Sequence, residues 1–176
     1  MARQYTKARR AEREADTRQH IADVALALHT EVGPARTTIS MIAERAGVQR
    51  HTVYAHFPTE RDLLMACSGL HVEREPLPSP ERWASITDPA ARLKKALGEL
   101  YAWYGRNDQL LAAVLRDAEH YTALQEVMSV RFGPLLNGFA ASVSKGLDAR
   151  GKAVLALAMS FHTWRTLVKD AGMKPA

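Results

Sequence analysis

The sequence predicts an all-α protein, built from an N-terminal three-helix head and a C-terminal helical bundle. Alternation of β-branched and polar residues is absent, and Ala, Leu, Arg and Glu dominate. Apolar residues instead recur at helical spacing, as in the first segment, where one face carries Ile21, Val24, Ala25 and Leu28. Hydrophobic residues make up 47% of the 176 residues, which is enough to form a core.

Helix-ending and helix-capping residues divide the head into short helices. Asp16 or Thr17 can cap the first helix, which the pair Gly33-Pro34 ends. Gly47 breaks a second, short helix, and a third follows it. Thr59 is the expected N-cap of a fourth helix.

Three segments are expected along the chain. Residues 1–16 are predicted to be a flexible basic arm, because residues 1–13 carry a net charge of +4. Such an arm is either a solvated chain end or a segment that follows a phosphate backbone. Residues 17–67 form the head, and residues 68–176 form the helical body.

The predicted body helices begin at the end of a loop that runs from Glu75 to Pro89 and contains four prolines. Asp88 is the expected N-cap of its first helix, with Pro89 at the first helical position. Asn107 is the expected cap of the second helix. The helices are predicted over residues 89–105, 108–120, 122–146 and 150–171.

Several classes of protein are excluded by composition and motif. The single cysteine, Cys67, allows no intrachain disulfide, and no apolar run is long enough for a signal peptide or a bilayer span, so a soluble cytoplasmic protein is expected. The motif His-Glu-x-x-His, a glycine-rich phosphate loop and a nucleophile elbow are all absent. We therefore expect neither an enzyme nor a cofactor or metal site.

Residues Thr38 to Phe57 have the pattern of a helix-turn-helix. Ala43 is small where two helices cross, and Gly47 tolerates the positive φ that the turn needs. Four apolar residues are spaced to face inward, namely Ile39, Ile42, Val48 and Val53. The alternative is an ordinary helical corner with a solvated polar face.

Four polar residues stay outward at the start of the second of these helices, the end that enters the major groove in such motifs. They are Gln49, Arg50, His51 and Thr52. Arg50 can pair with guanine, Gln49 with adenine and the Thr52 methyl group with thymine. Each of them could instead contact phosphate alone.

Three runs of residues carry a family resemblance. They are Thr37-Thr38-Ile39, Ile42-Ala43-Glu44-Arg45-Ala46-Gly47-Val48 and Thr52-Val53-Tyr54-Ala55-His56-Phe57-Pro58-Thr59-Glu60-Arg61-Asp62-Leu63-Leu64. Together they resemble the DNA-binding head of the tetracycline-repressor-type (TetR) family of transcriptional regulators, over about residues 17–67. In the body, the run Leu115-Arg116-Asp117-Ala118-Glu119 is similar to the family as well.

The resemblance implies a role for individual residues of the head. Thr38 and Ser40, and likewise Tyr54 and His56, would contact phosphate, while Gln49, Arg50, His51 and Thr52 would face the groove. Outside the motif, Tyr54 would be interpreted as partial core and His56 as a surface group. Two residues depart from the family pattern: His51 stands where glycine is frequent, and Glu60 where many members carry a phosphate-binding lysine.

The resemblance also implies a function for the whole chain. It would be a sequence-specific transcriptional regulator, a repressor relieved by a small-molecule ligand, which binds double-stranded operator DNA as a homodimer. The alternatives are an architectural DNA-binding protein without a sensor and an all-helical enzyme. Members usually start one more helix where this sequence reaches Lys174, so either the family's last helix is missing or the 176 residues are a truncated version.

Candidate ligand-binding residues lie on all the predicted body helices. They are Trp103, Tyr104, Asp117, His120, Met128, Phe132, Phe161 and Trp164. An aromatic lining would suit an apolar or aromatic effector. The alternative for the aromatic residues and Met128 is core packing, and for Asp117 and His120 it is a surface pair three residues apart on one helix face. A metal site at these two residues is not expected, because two ligands alone do not make one.

Overall fold

The computed structural model describes residues 2–174, with side chains from residue 8 onward, and this part of the chain contains helices and no strand. The α-helices are α1 (Ala2–Glu31), α2 (Ile39–Ala46), α3 (Arg50–His56), α4 (Glu60–Arg74), α5 (Pro89–Ala118), α6 (Thr122–Val143), α7 (Ala149–Ala158) and α8 (Phe161–Trp164). Short 3₁₀ helices cover Pro34–Arg36 and Pro80–Arg82, and a π-helical segment covers Arg165–Asp170. The prediction of an all-α protein is confirmed.

The chain divides into two compact units. The first unit comprises Met1–Arg74 and Ala112–Val127, and the second comprises Glu75–Leu111 and Met128–Ala176. The first unit therefore contains the predicted head, the remainder of α4 and a stretch from the end of α5 to the start of α6.

Where the structure describes the predicted arm of residues 1–16, the arm is helical, and α1 begins at Ala2. Neither glycine nor proline occurs before Gly33 to interrupt this helix. Thr17 does not cap it, since its hydroxyl donates to the carbonyl of Arg13 one turn earlier, at 2.8 Å. Side chains of the arm before residue 8, including Arg3 and Lys7, lie outside the described residues.

The core of the first unit lies between α1, α2, α3 and α4. Ile21 and Ala25 of α1 and Val53 of α3 are fully buried, and Ile42 of α2 is 1% exposed. Ile39 and Val48 pack against this core while partly exposed. The four positions predicted to face inward from the helix-turn-helix therefore do so.

Two of the predicted caps begin their helices. The Thr59 hydroxyl accepts a hydrogen bond from the Asp62 amide at 3.1 Å, at the start of α4. The Asp88 carboxylate accepts one from the Ala91 amide at 2.7 Å, at the start of α5. Each cap satisfies an amide that the helix itself leaves without a partner.

The first two body helices were predicted to be separate, but the structure has one helix, Pro89–Ala118. Asn107 was expected to cap the second of them and instead lies within α5. Its amide donates to the carbonyl of Trp103 at 2.9 Å, and its side chain is buried. Gly105 and Asp108 beside it are poor helix formers, so the helix continues here against the local propensity of the sequence.

The last body helix was predicted to run unbroken over residues 150–171 but is interrupted at Ser160, between α7 and α8. The hydroxyl of Tyr101 donates to the carbonyl of Ala158 at 2.9 Å, and that of Tyr104 to the carbonyl of Met159. These donors satisfy carbonyls at the end of α7, which stabilises the break. In the described part of the chain, no helix has the length and apolarity needed to cross a membrane.

Candidate nucleic-acid interface

The start of α2 presents Thr38 and Ser40. Thr38 is the N-cap, with extended backbone angles, and its hydroxyl accepts a hydrogen bond from the Met41 amide at 3.2 Å. Thr38 is exposed, and Ser40 is partly exposed in the first turn. Both predicted phosphate contacts are therefore accessible to solvent, at a helix start, which is an element that suits a phosphate group.

The turn between α2 and α3 is made by Gly47. Its φ of +65° and ψ of 29° lie in the left-handed region, which favours glycine. A Cβ at this position would meet nothing within 4 Å, so the backbone alone requires glycine. The Val48 amide then donates to the Ala43 carbonyl at 3.0 Å, which closes α2 and directs the chain into α3.

The N-terminal end of α3 presents the four predicted groove residues. Gln49 is the N-cap, but its side chain makes no capping hydrogen bond. Gln49, Arg50 and His51 are exposed, and Thr52 is partly exposed. On the opposite side, Val53 is fully buried. The helix is thus held by its apolar side while its polar end faces outward.

The end of α3 presents Tyr54 and His56. The Tyr54 side chain is 54% exposed, and this exposure argues against the alternative that it belongs to the core. His56 is partly exposed in the last turn. Phe57, which follows it, is 1% exposed and anchors this end of the helix.

Phe57 makes a cation–π contact that the sequence did not indicate. The guanidinium of Arg18, in α1, is 4.4 Å from the ring centroid. Burial of the ring and a cation–π contact both restrain the chain between α3 and α4. The two residues are far apart in sequence, and no local pattern relates them.

The N-terminus of α4 is held by reciprocal hydrogen bonds. Asp62 accepts from the amide and the hydroxyl of Thr59, at 3.1 and 2.6 Å, and the Thr59 hydroxyl holds the pKa of this carboxyl below its usual range. Glu60, where the family resemblance would place a lysine, accepts a hydrogen bond from the Tyr121 hydroxyl at 2.9 Å. Burial, together with this bond to Glu60, raises the pKa of Tyr121 to about 12.

Four of the predicted ligand-binding residues meet in the second unit. The Tyr104 ring lies 5.7 Å from Trp103, 5.6 Å from Phe161 and 5.9 Å from Trp164, measured between centroids. All four side chains are buried. They therefore form an aromatic cluster, which agrees with the alternative that these residues pack in the core. Their apolar rings are also of the kind that lines a binding site for an apolar molecule.

The ring contacts of this cluster include none of the other four candidates. Met128 and Phe132 are partly buried in α6. Asp117 belongs to the first unit and accepts a hydrogen bond from the Ala35 amide at 2.9 Å. His120 is exposed in the turn after α5, so the expected pairing of Asp117 and His120 on one helix face is wrong: the helix ends at Ala118. Among the described side chains, no group of three or more His, Cys, Asp or Glu could hold a metal ion.

Comparison with known proteins locates the similarity mainly in the first unit. The family model of bacterial regulatory proteins, tetR family, matches residues 21–67. A segment of 57 residues is 47% identical to the HTH-type transcriptional regulator AcrR of Shigella flexneri and covers 32% of this chain and 26% of that one. A segment of 95 residues is 34% identical to TtgR of Pseudomonas putida and covers 53% of this chain and 45% of that one. The matched segments thus span less than half of these two relatives.

Solved structures extend the likeness to the whole fold. A TetR transcription regulator from Haloarcula marismortui superposes with a TM-score of 0.62 over 89% of this chain and 88% of its own, at 24% identity. SmeT, solved in complex with triclosan, superposes with a TM-score of 0.54 over 90% of this chain and 84% of its own, at 25% identity. Both units therefore have counterparts in known regulators.

Proposed function

We propose that this chain, which belongs to the TetR family of bacterial regulatory proteins, is a transcriptional regulator that binds a specific operator in double-stranded DNA. One observation carries the proposal: the N-terminal end of α3 faces outward with four hydrogen-bonding side chains, while Val53 and Phe57 hold the helix from behind. A rigid helix with a polar, unburied N-terminal end is the element that helix-turn-helix proteins insert into the major groove.

The proposed contacts fall into two sets. Gln49, Arg50, His51 and Thr52 face base edges in the groove, where they donate and accept hydrogen bonds. Thr38 and Ser40 at the start of α2, and Tyr54 and His56 at the end of α3, contact phosphates on either side. The first set supplies sequence preference, and the second set fixes the register of the head on the duplex.

The proposal is tested by selecting duplexes from a random library with the full chain. We expect one sequence family to be enriched, and its affinity to fall steeply as salt rises, because phosphate contacts release counterions. Library members that are not enriched serve as the control for binding without sequence preference. Failure to enrich any sequence, or binding that does not respond to salt, would contradict the proposal.

The body is proposed to bind a small apolar or aromatic molecule that relieves repression. The aromatic cluster of Trp103, Tyr104, Phe161 and Trp164 supports this, and Met128 and Phe132, in the part of α6 that belongs to the same unit, are further proposed contacts. SmeT, a structural relative, was solved with triclosan, an aromatic molecule. A thermal-shift screen of small aromatic compounds tests the proposal, because a ligand of the folded state raises the unfolding midpoint. A midpoint that no compound moves would favour an architectural DNA-binding protein without a sensor.

We also propose that the chain acts as a homodimer in the cytoplasm. Apolar side chains are exposed on two helices of the second unit: Val130 and Leu135 on α6, and Val154 and Leu157 on α7. The last two are 58% and 64% exposed and lie three positions apart on α7, so they form a contiguous apolar patch of the kind that a partner subunit covers. Sedimentation of the full chain tests the dimer, and the double variant Val154→Asp, Leu157→Asp is expected to sediment as a monomer.

A further inference from the structure

The turn between α1 and α2 is hydrogen-bonded to two adjacent residues at the end of α5. The Asp117 carboxylate accepts a hydrogen bond from the Ala35 amide at 2.9 Å, and the Arg116 guanidinium donates to the Val32 carbonyl at 3.2 Å. A third bond, 2.8 Å long, joins Arg116 to Asp117. The end of α5 thus binds one backbone donor of the turn, the Ala35 amide, and one backbone acceptor, the Val32 carbonyl. All these residues belong to the first unit.

The fit at this turn is close. Gly33 has a φ of +98°, and a Cβ there would overlap the Asp117 carboxylate and the Arg116 guanidinium. The Asp117 side chain is 7% exposed, although it is charged. Burial of a carboxylate is costly unless hydrogen bonds and an ion pair compensate it, and here the Ala35 amide and the Arg116 guanidinium do so.

This turn leads directly into the proposed DNA-binding residues. The Thr37 hydroxyl donates to the Gly33 carbonyl at 2.9 Å, and the Thr37 amide donates to the Pro34 carbonyl at 3.2 Å. Thr38, the next residue, caps α2. The position of Ala35 therefore sets where α2 begins, and α2 in turn packs against α3.

We propose that Asp117, with Arg116, is a positioning residue for operator binding: it fixes the start of α2, and so the helix-turn-helix, without touching DNA itself. This inference rests on the proposed function. The sign of the effect separates positioning from plain electrostatics. Removing a negative charge from a DNA-binding protein strengthens its attraction to phosphate, whereas loss of the hydrogen bonds that hold the turn weakens operator binding.

The test compares three variants of the full chain on a duplex selected by the wild-type chain. Asp117→Ala removes the carboxylate. Asp117→Asn keeps an oxygen that can accept from the Ala35 amide. Glu119→Ala is the matched control, because it removes the same charge from an exposed residue just after α5. Affinity is measured far below the unfolding midpoint of each variant, both on the selected duplex and on a scrambled one.

We expect Asp117→Ala to weaken binding to the selected duplex by about ten-fold, and binding to the scrambled duplex by less. Glu119→Ala should bind at least as tightly as the wild type, and Asp117→Asn should recover most of the loss. A role confined to stability would lower the unfolding midpoint of Asp117→Ala and leave the affinity of the folded chain unchanged.

The possible failures can be told apart. If the wild-type chain enriches no duplex, the proposed function fails. If it does, and folded Asp117→Ala binds as tightly as Glu119→Ala, the positioning inference alone is overturned. If Asp117→Ala does not fold, Asp117→Asn is the deciding variant. The inference is supported if this variant binds within about three-fold of the wild type and its Ala35 amide is still protected from hydrogen exchange. Wild-type affinity with that protection lost contradicts it.

Discussion

The hydroxyl of Tyr121 donates a 2.9 Å hydrogen bond to the carboxylate of Glu60, the first residue of α4. Glu60 thus places a carboxylate at the end of the chain segment that follows α3. A carboxylate near a phosphate backbone opposes binding, and the bond to Tyr121 gives it a fixed place.

Glu60→Gln is therefore expected to tighten DNA binding. The amide oxygen still accepts from Tyr121, while the negative charge is lost. We expect a gain of about two- to five-fold at low salt, on selected and scrambled duplexes alike, because the effect is electrostatic. Glu81→Gln, an exposed change in the second unit, is the control for net charge. Equal gains in both variants would show that the position of Glu60 does not matter.

A side chain at Gly47 should destabilise the fold, although there is space for one. Its φ of +65° strains any L-residue, and a Cβ would meet nothing within 4 Å. We expect Gly47→Ala to lower the free energy of unfolding by about 1 kcal/mol. Gly98→Ala, in α5 and equally open, is the control and should be neutral or raise that free energy by up to about 1 kcal/mol. Chemical denaturation measures both, and equal effects would refute the backbone explanation.

Buried His29 should make stability fall in acid. Burial lowers its pKa from 6.5 to about 4, against the opposing charge of Asp117, which raises it. Between these two values the unfolded chain binds a proton that the folded chain does not, so stability is full above pH 6.5 and is lost as the pH falls towards 4. The slope is at most about 1.4 kcal/mol per pH unit for this one group.

The control for this pH dependence is His29→Gln, which cannot take up the proton. At neutral pH, the free energy of unfolding of this variant should be lower than that of the wild type. Between pH 6.5 and 4, it should change less with pH than that of the wild type. A variant that keeps the full wild-type slope would show that another group is responsible.

The sequence predicted the features of this fold that depend on neighbouring residues. The cap at Thr59, the turn at Gly47 and the inward face with Ile42 and Val53 are all set by residues within one or two helical turns. For this reason the proposed groove residues could also be located before the structure.

Long-range contacts could not be predicted in this way. Ala35 and Asp117 are 82 positions apart, so no periodicity relates them, and Asp117 was placed among candidate ligand residues instead. Asn107 was misjudged for a related reason. An asparagine caps a helix only where the chain turns, and here the tertiary packing keeps α5 helical through that position.

Base reading by the helix-turn-helix depends most directly on Arg50, at the exposed end of α3. The decisive measurement is a repeat of the duplex selection with Arg50→Ala, with Arg150→Ala as the control for the lost charge, since Arg150 is exposed on α7. If Arg50 reads a base, the variant should lose about 1–3 kcal/mol on the wild-type operator and become tolerant at one base position. An equal loss on all sequences, with the selected sequence unchanged, would contradict base reading by this end of α3.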